Sequence, residues 1–411
     1  MKKHSKEGEE NARAHYEDLE GLVRERMQGY IKDILEEEVT EFLGRRKSER
    51  RGKGVERPEG YRNGHGKVRK LAMMNGTVTL RRPRVRDAEG FESRVLPLFQ
   101  RKSEAVASLL PELYLHGLAQ KDFELALRGL LGDAAPLSAA SIGRLKAKWH
   151  NEYEAWKTQD LTGVEIVYQW ADGVYVKAGL EKDKAALLVI LGADTSGKKL
   201  LLACEAGFRE SKEGWADVLR DLIRRGLKLP KLTVADGNLG IWAALQDVHP
   251  QGDEQRCWNH KIVNVLDAMP KRVRAVAAEG LKKIPYADTR RDCERLRDAF
   301  VKRYEMDFPK ACEKLLRDWE RMVSFYAYPK EHWIHLRTSN VVESPFNVIR
   351  LRTNAARRFK KVSSATAMLF KLLEVAQKTF RKLNYPELLP LVYEGRTFVD
   401  GVLVQEKRSA A

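Results

Sequence analysis

Hydrophobic and polar positions follow three different patterns along the chain. Residues 10–44 and 103–150 carry apolar side chains three or four positions apart, which predicts amphipathic helices. Residues 60–102 combine short β-prone runs with Asn-Gly turn pairs, which predicts a small β-element. Residues 161–264 alternate apolar runs of strand length with helical patterns, which predicts an α/β region.

The α/β region has a definite order of elements. Residues 164–180 resemble two strands that turn at Asp172-Gly173, and residues 184–208 resemble a further hairpin. A helix from Glu210 to Arg225, a strand at 231–236, a second helix and a short strand follow. The order β-β-β-α-β-α-β is that of a ribonuclease-H-like core, a mixed sheet flanked by helices. Asp172 then lies on the first strand and Asp236 follows the fourth.

The rest of the chain is mostly helical, and the whole is predicted to be an α/β protein. A ribonuclease-H-like catalytic core with an all-α insertion domain is preceded by a mostly helical N-terminal DNA-binding region. The predicted segments are a helical segment with a basic linker (1–59), a small basic β-element (60–102), a helix-turn-helix-like region (103–160), the first part of the core (161–264), an all-helical insertion (265–335), and the last part of the core with a C-terminal tail (336–411).

The net charge indicates the kind of partner, and the cysteine content indicates the cellular compartment. A formal net charge of +17 over 411 residues indicates a polyanionic partner, and nucleic acid is the leading one. Four cysteines without a CxxC pair indicate a reducing compartment. The N-terminus lacks the apolar core of a signal peptide, and no apolar run is long enough to span a membrane. We therefore expect a cytoplasmic, nucleoid-associated protein with no membrane partner and no small-molecule substrate.

Three acidic residues form the candidate catalytic centre. Asp172 and Asp236 each follow an apolar, strand-like run within an Ala-Asp-Gly sequence, and Glu343 lies in a helix-like stretch. If the three carboxylates converge at one edge of the sheet, their hard oxygens suit Mg²⁺ or Mn²⁺. Two such ions can clamp the attacking and leaving oxygens of a phosphoryl transfer. We predict that these residues are catalytic and bind two metal ions.

Each acid also has a purely structural interpretation. Asp172-Gly173 is a preferred hairpin turn, and Asp236 precedes a helix cap at Asn238. Glu343 stands three residues after Asn340, close to the spacing of a capping box. Taken singly, these interpretations are favoured. The shared position near one end of one sheet, in a basic chain, favours the metal site when the acids are taken together.

Cys257 and His260 lie at the next strand–helix junction. Their spacing is half that of a zinc finger, but the second half is absent from the sequence, so zinc is the weaker interpretation. A structural role beside the acids, or one that orients the carboxylate ligands, is favoured. Asn340 is grouped with them because it precedes Glu343 in the same stretch.

Basic residues cluster in three places that we expect to contact DNA. A solvated surface is the alternative in each place, and core packing is an equal alternative for Trp333, whose ring could otherwise stack on an unpaired base. The candidates are Arg81, Arg82, Arg84 and Arg86 in the β-element, Ser141, Arg144, Lys146 and Lys148 on the second helix of the helix-turn-helix-like region, and Trp333, Arg350, Arg352, Arg357, Arg358 and Lys361 around Glu343.

Several motifs resemble those of the Mutator-type DDE transposases of bacterial insertion sequences. They occur in family order over roughly residues 30 to 375 and include YRNGHGKVRK, LSAASIGRLKAKW, WADGVYVKAG, VADGNLGIWAAL, QRCWNHKIVNVLDAMPK and RTSNVVESPFNVIRLRT. The resemblance implies Asp172, Asp236 and Glu343 as metal ligands, and it places Cys257 and His260 in the family signature. It also implies Mg²⁺-dependent cleavage at terminal inverted repeats, strand transfer into target DNA, and a dimer or higher assembly on double-stranded DNA.

The sequence leaves three functions open. The first is an active transposase, in which the N-terminal 150 residues bind the element ends and the acidic triad performs the chemistry. The second is a catalytically silent DNA-binding regulator derived from a transposase. The third is a structure-selective nuclease with the same core. No catalytic residue is missing, which favours the active enzyme.

Overall fold

The structure is a computed structural model that describes most of the chain. The residues it describes are 4–49, 60–87, 91–97, 100–118, 123–131, 139–179, 185–207, 209–356 and 358–404. Contacts between Cα atoms divide the chain into two compact units, Met1–Leu145 and Lys146–Ala411. The basic linker predicted around residues 44–54 falls partly outside the described residues. The sequence also predicts Ser138 as the N-cap of the helix at 139–150, and Ser138 lies outside the described residues.

The first unit combines a long helix with a two-stranded hairpin. Its elements are α1 (His4–Leu43), β1 (Tyr61–Met73), β2 (Gly76–Arg86), α2 (Glu104–Leu115) and α3 (Phe123–Leu131). The unit boundary falls inside α4 (Ala139–Lys157).

The hairpin confirms one of two predicted turns. Met73 pairs with Gly76 across the turn at Asn75-Gly76, where Gly76 adopts a positive φ of 107°. The turn predicted at Asn63-Gly64 is wrong, because both residues lie within β1, where the register shifts between Arg62 and His65. The inward residues form a small core with α1; its buried members are Leu35, Leu71, Val78, Leu80 and Leu96.

The second unit holds the α/β region and the helical stretch that follows it. Its elements after α4 are β3 (Ile166–Val176), β4 (Ala185–Asp194), β5 (Lys199–Gly207), α5 (Lys212–Arg224), β6 (Leu232–Ala235), α6 (Leu239–Val248), β7 (Asp253–Arg256), α7 (Trp258–Asp267), α8 (Lys271–Lys283), α9 (Arg290–Tyr304), α10 (Pro309–Leu316), α11 (Trp319–Val323), α12 (Trp333–Leu336), α13 (Asn340–Glu343), α14 (Phe346–Ala356), α15 (Val362–Gln377), α16 (Leu389–Tyr393), β8 (Phe398–Val399) and β9 (Val402–Leu403). Short 3₁₀ turns occur at Ile284–Tyr286, Ser324–Ala327, Lys330–His332 and Pro386–Leu388.

A five-stranded mixed sheet forms the centre of the second unit. Its order is β5-β4-β3-β6-β7, with β3 in the middle. The β3–β4 and β4–β5 pairs are antiparallel, whereas β3–β6 and β6–β7 are parallel. This confirms the predicted α/β class, the predicted order of strands and helices, and a mixed sheet flanked by helices.

The central strand corrects one detail of the prediction. Residues 164–180 do not form two strands that turn at Asp172-Gly173, because β3 runs through both residues without interruption. Asp172 pairs with Val189 and Gly173 pairs with Leu188 on β4. Pairing along this whole edge outweighs the local turn preference of an Asp-Gly pair.

Helices α5 and α6 cover one face of the sheet, and both begin near the acidic residues of β3 and β6. The core on that face contains Trp215, Leu219 and Leu222 of α5 and Ile241 and Leu245 of α6. Helix α5 begins at a cap in which the Ser211 hydroxyl accepts a hydrogen bond from the Gly214 amide at 3.1 Å. Both helix starts therefore lie at the edge where β3 and β6 reach their acidic residues.

The described part of residues 265–335 is helical, as predicted, and forms α8 to α12 with the intervening 3₁₀ turns. A search of the described residues finds no helix with the length and apolarity that a membrane span requires.

Candidate active site

Strands β6 and β7 end in one row beside Ala171 of β3, which continues to Val176. Ala171 of β3 pairs with Ala235 of β6, and Ala235 pairs with Arg256 of β7. The residues that follow these three are Asp172, Asp236 and Cys257. The Cys257 amide donates a hydrogen bond to the Ala235 carbonyl at 2.8 Å, which continues the row one residue beyond the strands. The parallel register therefore brings Asp172 and Asp236 side by side.

The carboxyl group of Asp172 lies in an environment that disfavours its charge. Burial and the neighbouring Asp236 raise the pKa of Asp172 to about 7, although one Asp172 oxygen accepts a hydrogen bond from the Gly173 amide at 2.7 Å. The charges of Glu343 and Glu210 act in the same direction as Asp236. Within the described part of the chain, no lysine or arginine pairs with Asp172 or Asp236. The repulsion between these carboxylates is therefore not offset by a lysine or arginine of the described residues.

The turn after β6 fixes Asp236 and confirms the predicted helix cap beside it. One Asp236 oxygen accepts a hydrogen bond from the Asn238 amide at 2.8 Å. The Asn238 side chain caps α6 by accepting from the Gly240 amide at 2.9 Å. Its Nδ2 atom donates to Glu210 at 2.8 Å. The cap and the acidic site therefore share one turn and do not exclude each other.

Glu210 is a fourth acidic residue that the sequence did not single out. A Cβ atom on Gly173 would lie 2.2 Å from Glu210 Oε1, so the Glu210 carboxyl group rests directly on the backbone beside Asp172. Burial and Asp236 raise the pKa of Glu210. Burial and Glu210 in turn raise the pKa of Tyr175 to about 12. The available signal was an acid immediately before the Ser211 cap of α5, but its meaning depends on where α5 starts.

The segment that carries Glu343 is tied to the end of β7. The Trp258 amide donates to the Arg337 carbonyl at 2.9 Å, and the Ser339 amide donates to Cys257 Sγ at 3.3 Å. Glu343 is the last residue of the short helix α13, and the Ser339 hydroxyl donates to its carboxylate. Cys257 thus anchors the chain that delivers Glu343, which is a structural role beside the acids.

The capping-box interpretation of Glu343 is not confirmed, because Ser339 and not Asn340 occupies the N-cap position of α13, and the Ser339 side chain makes no cap hydrogen bond. Asn340 is exposed, and its Oδ1 atom accepts a hydrogen bond from Asn259 Nδ2 at 3.2 Å. No described hydrogen bond joins the Asn340 side chain to Glu343.

His260 lies between Cys257 and Glu343. Its Nδ1 atom is 3.8 Å from Glu343 Oε1 and 3.5 Å from Ser339 Oγ. A hydrogen bond with Cys257 and the nearby carboxylates outweigh burial and raise the pKa of His260 to about 9. Among the described residues, Cys257, His260 and Glu343 are the one group of three whose potential ligand atoms all lie within 4.8 Å of one another. Asp172, Asp236 and Glu343, which are all described, do not meet this 4.8 Å criterion as a group of three.

The predicted DNA-contact residues of the first unit are mostly accessible. Arg81, Arg84 and Arg86 are exposed on β2, and Arg82 is half-buried. Arg144 is exposed on α4. Ser141 lies in the same helix, but its side chain falls outside the described residues. Exposure fits a role in DNA contact without testing it.

Two candidates of the second unit are in the core. Trp333 is only 1% exposed, its indole donates to the Tyr328 carbonyl at 2.8 Å, and Phe325 and Tyr326 pack on it. The expectation that it stacks on an unpaired base is wrong for this conformation, and core packing is correct. Arg352 is 2% exposed and is likewise unavailable as a surface contact.

The remaining basic candidates of the second unit lie at its surface. Lys148, Arg350, Arg358 and Lys361 are exposed, and Lys146 is half-buried. The Arg358 side chain donates to the Gly179 carbonyl at 2.9 Å. Arg357 falls outside the described residues.

Comparison with known proteins identifies the family. The model of the family described as "Transposase, Mutator family" matches residues 1–382. The chain is 43% identical over 304 residues to the transposase for insertion sequence element IS6120 of Mycolicibacterium smegmatis, which covers 73% of this chain and 93% of the relative. It is 39% identical over 279 residues to the transposase for IST2 of Acidithiobacillus ferrooxidans, with 67% and 94% covered.

A more distant relative extends the match along the chain. The transposase for ISRM5 of Rhizobium meliloti is 28% identical over 368 residues, which covers 88% of this chain and 89% of the relative. The chain belongs to the Mutator family of transposases, a class of enzymes that cut and join DNA. This confirms the family resemblance seen in the sequence motifs.

Proposed function

We propose that this protein is the transposase of an insertion sequence and that its sheet edge is a DDE-type active site on a ribonuclease-H-like core. It binds the terminal inverted repeats of the element, hydrolyses phosphodiester bonds, and joins a 3′-hydroxyl to target DNA. The observation that carries the proposal is the parallel register that sets Asp172 beside Asp236, with the Glu343 segment anchored to the adjacent strand end.

The donor atoms at this edge fit Mg²⁺ or Mn²⁺. Asp172, Asp236, Glu210 and Glu343 offer only carboxylate oxygens, which are the ligands that hard divalent cations prefer. Burial first, and repulsion from Asp236 second, raise the pKa of Asp172, so its charged form is disfavoured until an opposite charge is close to it. When bound, two such ions would neutralise charge on the phosphate and activate the attacking hydroxyl group. Asp172 and Asp236 are the first ligands that we assign, with Glu343 as the third.

The chain's own groups position these acids. The Gly173 amide holds one oxygen of Asp172, and the Asn238 amide holds one oxygen of Asp236. The Asn238 side chain orients Glu210 over Gly173. Fixed orientations of this kind keep the remaining carboxylate oxygens directed at one place, which lowers the cost of assembling a metal site.

We assign DNA-backbone contacts to the exposed arginines of β2 and to Lys148, Arg350 and Lys361 of the second unit. Each is a surface cation in a chain of net charge +17, and phosphate neutralisation by such residues gives a steep dependence of affinity on salt. The assembly on DNA is proposed to be a dimer or a higher oligomer, because two element ends must be held together during joining.

A Glu343→Gln variant tests the catalytic assignment. We expect it to fold and to bind terminal-repeat DNA as the unaltered protein does, while strand cleavage with Mg²⁺ falls by about 10³-fold or more. The physical reason is that an amide keeps the shape of the side chain but removes the charge that a cation needs. Gel-shift and cleavage assays on the same labelled DNA measure both properties.

The matched control for this experiment is Glu331→Gln, which alters an exposed glutamate outside the acidic edge and should leave both properties unchanged. Cleavage that persists in Glu343→Gln would remove Glu343 from the active site. If Glu331→Gln also loses binding and cleavage, then replacing any surface glutamate with glutamine impairs the protein, and the Glu343→Gln result says nothing specific about Glu343.

A Glu210→Gln variant tests whether the fourth acid takes part. We expect a smaller loss of cleavage, about tenfold, with a higher Mg²⁺ concentration needed for half-maximal rate, because one nearby negative charge is removed. Glu213→Gln is the matched control, since Glu213 is exposed on the first turn of the same helix. A Mg²⁺ dependence identical to that of the unaltered protein would exclude Glu210 from the metal site.

A further inference from the structure

Cys257, His260 and Glu343 form a cluster whose chemistry differs from that of the acidic edge. A thiol sulfur, an imidazole nitrogen and a carboxylate oxygen lie within 4.8 Å of one another. Two of these residues are fixed by secondary structure, because Cys257 caps α7 and His260 lies in its first turn. The third arrives on the segment that Ser339 ties to the Cys257 sulfur. The cluster is thus assembled by two elements of the fold, the start of α7 and the short helix α13.

This set of donors suits a different class of metal ion from Mg²⁺. Zinc-class ions accept sulfur, nitrogen and oxygen together, and three protein ligands with one open position is a common arrangement for them. Mg²⁺ strongly prefers oxygen and rarely accepts a thiolate. Metal–ligand bonds of about 2.0–2.3 Å place tetrahedral donors about 3.5 Å apart, so an ion would draw these atoms together by about 1 Å.

The surroundings supply the outer partners that such ligands usually have. The Ser339 amide donates to Cys257 Sγ at 3.3 Å, which stabilises negative charge on the sulfur. The Ser339 hydroxyl donates to the Glu343 carboxylate. His260 and Glu343 have side chains 39% and 29% exposed, so an ion can enter from solvent, whereas Cys257 is fully buried beneath them.

We propose that Cys257, His260 and Glu343 bind a borderline-soft divalent cation of the zinc class, and that this ion withdraws Glu343 from the catalytic edge. The second half of the proposal rests on the proposed function, because it takes Glu343 as a ligand shared between two sites. A bound soft cation then holds the enzyme in a state in which Asp172 and Asp236 lack their third carboxylate. Bound Mg²⁺ at the acidic edge would oppose that state by the same linkage.

The site itself can be tested without any assay of DNA cleavage. Co²⁺ serves as the probe, because a tetrahedral Co²⁺ site with a thiolate ligand shows visible d–d bands and a near-ultraviolet charge-transfer band. We expect the reduced, full-length protein to show both bands, Zn²⁺ to remove them, and millimolar Mg²⁺ to raise the Co²⁺ concentration at which they appear without abolishing them. Absence of the charge-transfer band in the unaltered protein would overturn the proposal.

Variants identify the sulfur that is responsible. We expect Cys257→Ser and His260→Ala to lose the Co²⁺ bands, and Cys312→Ser, which alters another buried cysteine in α10, to keep them. Circular dichroism and thermal unfolding check that each variant is folded. Persistence of the charge-transfer band in folded Cys257→Ser and His260→Ala proteins would assign the metal to other residues and overturn the proposal.

A separate measurement tests the competition for Glu343. With Mg²⁺ held at a saturating concentration, buffered Zn²⁺ is expected to reduce strand cleavage by about tenfold or more, and a zinc-selective chelator should restore it. Unchanged cleavage at Zn²⁺ concentrations that saturate the Co²⁺ site would overturn the competition.

Asp172→Asn separates the two proposals. It should lose cleavage and keep the Co²⁺ bands, because Asp172 is not among the three ligands. If the unaltered protein never cleaves DNA while the Co²⁺ bands are present, the proposed function fails and the soft-metal site stands.

Discussion

Replacing Asp172 with Asn is expected to abolish strand cleavage and, at the same time, to stabilise the metal-free protein. Cleavage should fall by about 10³-fold or more, because Asp172 lies beside Asp236 in the row that we propose as the cation site. The free energy of unfolding should rise by about 1–2 kcal/mol, since the substitution removes one charge from a group of buried, mutually repelling acids. Cleavage assays and denaturant unfolding in EDTA measure the two effects.

Opposite changes in activity and stability distinguish a functional acid from a structural one. Asp217→Asn is the matched control, because Asp217 is 79% exposed on α5 and should change neither quantity by much. Added Mg²⁺ should raise the unfolding midpoint of the unaltered protein more than that of Asp172→Asn, because a ligand stabilises only the state that binds it. A destabilised Asp172→Asn variant that still cleaves DNA would reverse the assignment.

Among the variants proposed here, Gly240→Ala is expected to lose the most free energy of unfolding. A Cβ atom at this position would lie 2.2 Å from the Glu210 carbonyl oxygen and 2.9 Å from the Ser211 carbonyl carbon. Both are backbone atoms at the start of α5, so neither can move aside without shifting that helix. We expect a loss of about 3 kcal/mol or more in the free energy of unfolding, measured by chemical denaturation.

Gly280→Ala is the matched control for that substitution. Gly280 lies inside α8, where a new Cβ atom would meet only Phe300 Cδ2 at an ordinary 3.6 Å. Alanine is the better helix former by about 1 kcal/mol, so this variant should be as stable as the unaltered protein or more stable. A Gly240→Ala protein with unchanged stability would show that α5 and α6 are not packed as closely as the structure indicates.

Much of the architecture around the site was predictable, because its signals are local. Short apolar runs and amphipathic stretches gave the order of strands and helices, and Asn238 was recognisable as a helix cap. The order then placed Asp172 on the first strand and Asp236 after the fourth, as the structure does. Because β3 and β6 are adjacent and parallel, with Ala171 paired to Ala235, the two aspartates that follow lie side by side.

The Asp172-Gly173 pair misled the prediction because its local preference and its tertiary role differ. An Asp-Gly pair favours a tight turn in an isolated segment. Here β4 pairs with the strand through both residues, and Glu210 occupies the space that a side chain at Gly173 would need. A side chain at Gly173 would displace the carboxyl group of Glu210, which lies 37 positions later, and local patterns do not contain such a relation.

Long-range packing also explains the residues that the sequence misassigned or missed. For Trp333 the sequence left base stacking and core packing as equal alternatives, and the packing of Phe325 and Tyr326 on its ring decides for the core. Glu210 belongs to no recognisable sequence motif. It becomes part of the site only because the segment before α5 places its carboxyl group over Gly173 of β3. Glu343, the third member of the cluster with Cys257 and His260, comes from a segment more than eighty residues later in the sequence.

The central claim is that this sheet edge cuts and joins DNA with divalent metal ions, and mapping the reaction products tests it most directly. Purified protein is incubated with end-labelled DNA carrying the inverted repeats that flank its own gene, in Mg²⁺, Mn²⁺ or EDTA. We expect nicks at the repeat tips, 3′-hydroxyl ends that become joined to target DNA, and no products in EDTA. Tight binding to the repeats with no nick in either metal, or the same products in EDTA, would contradict it.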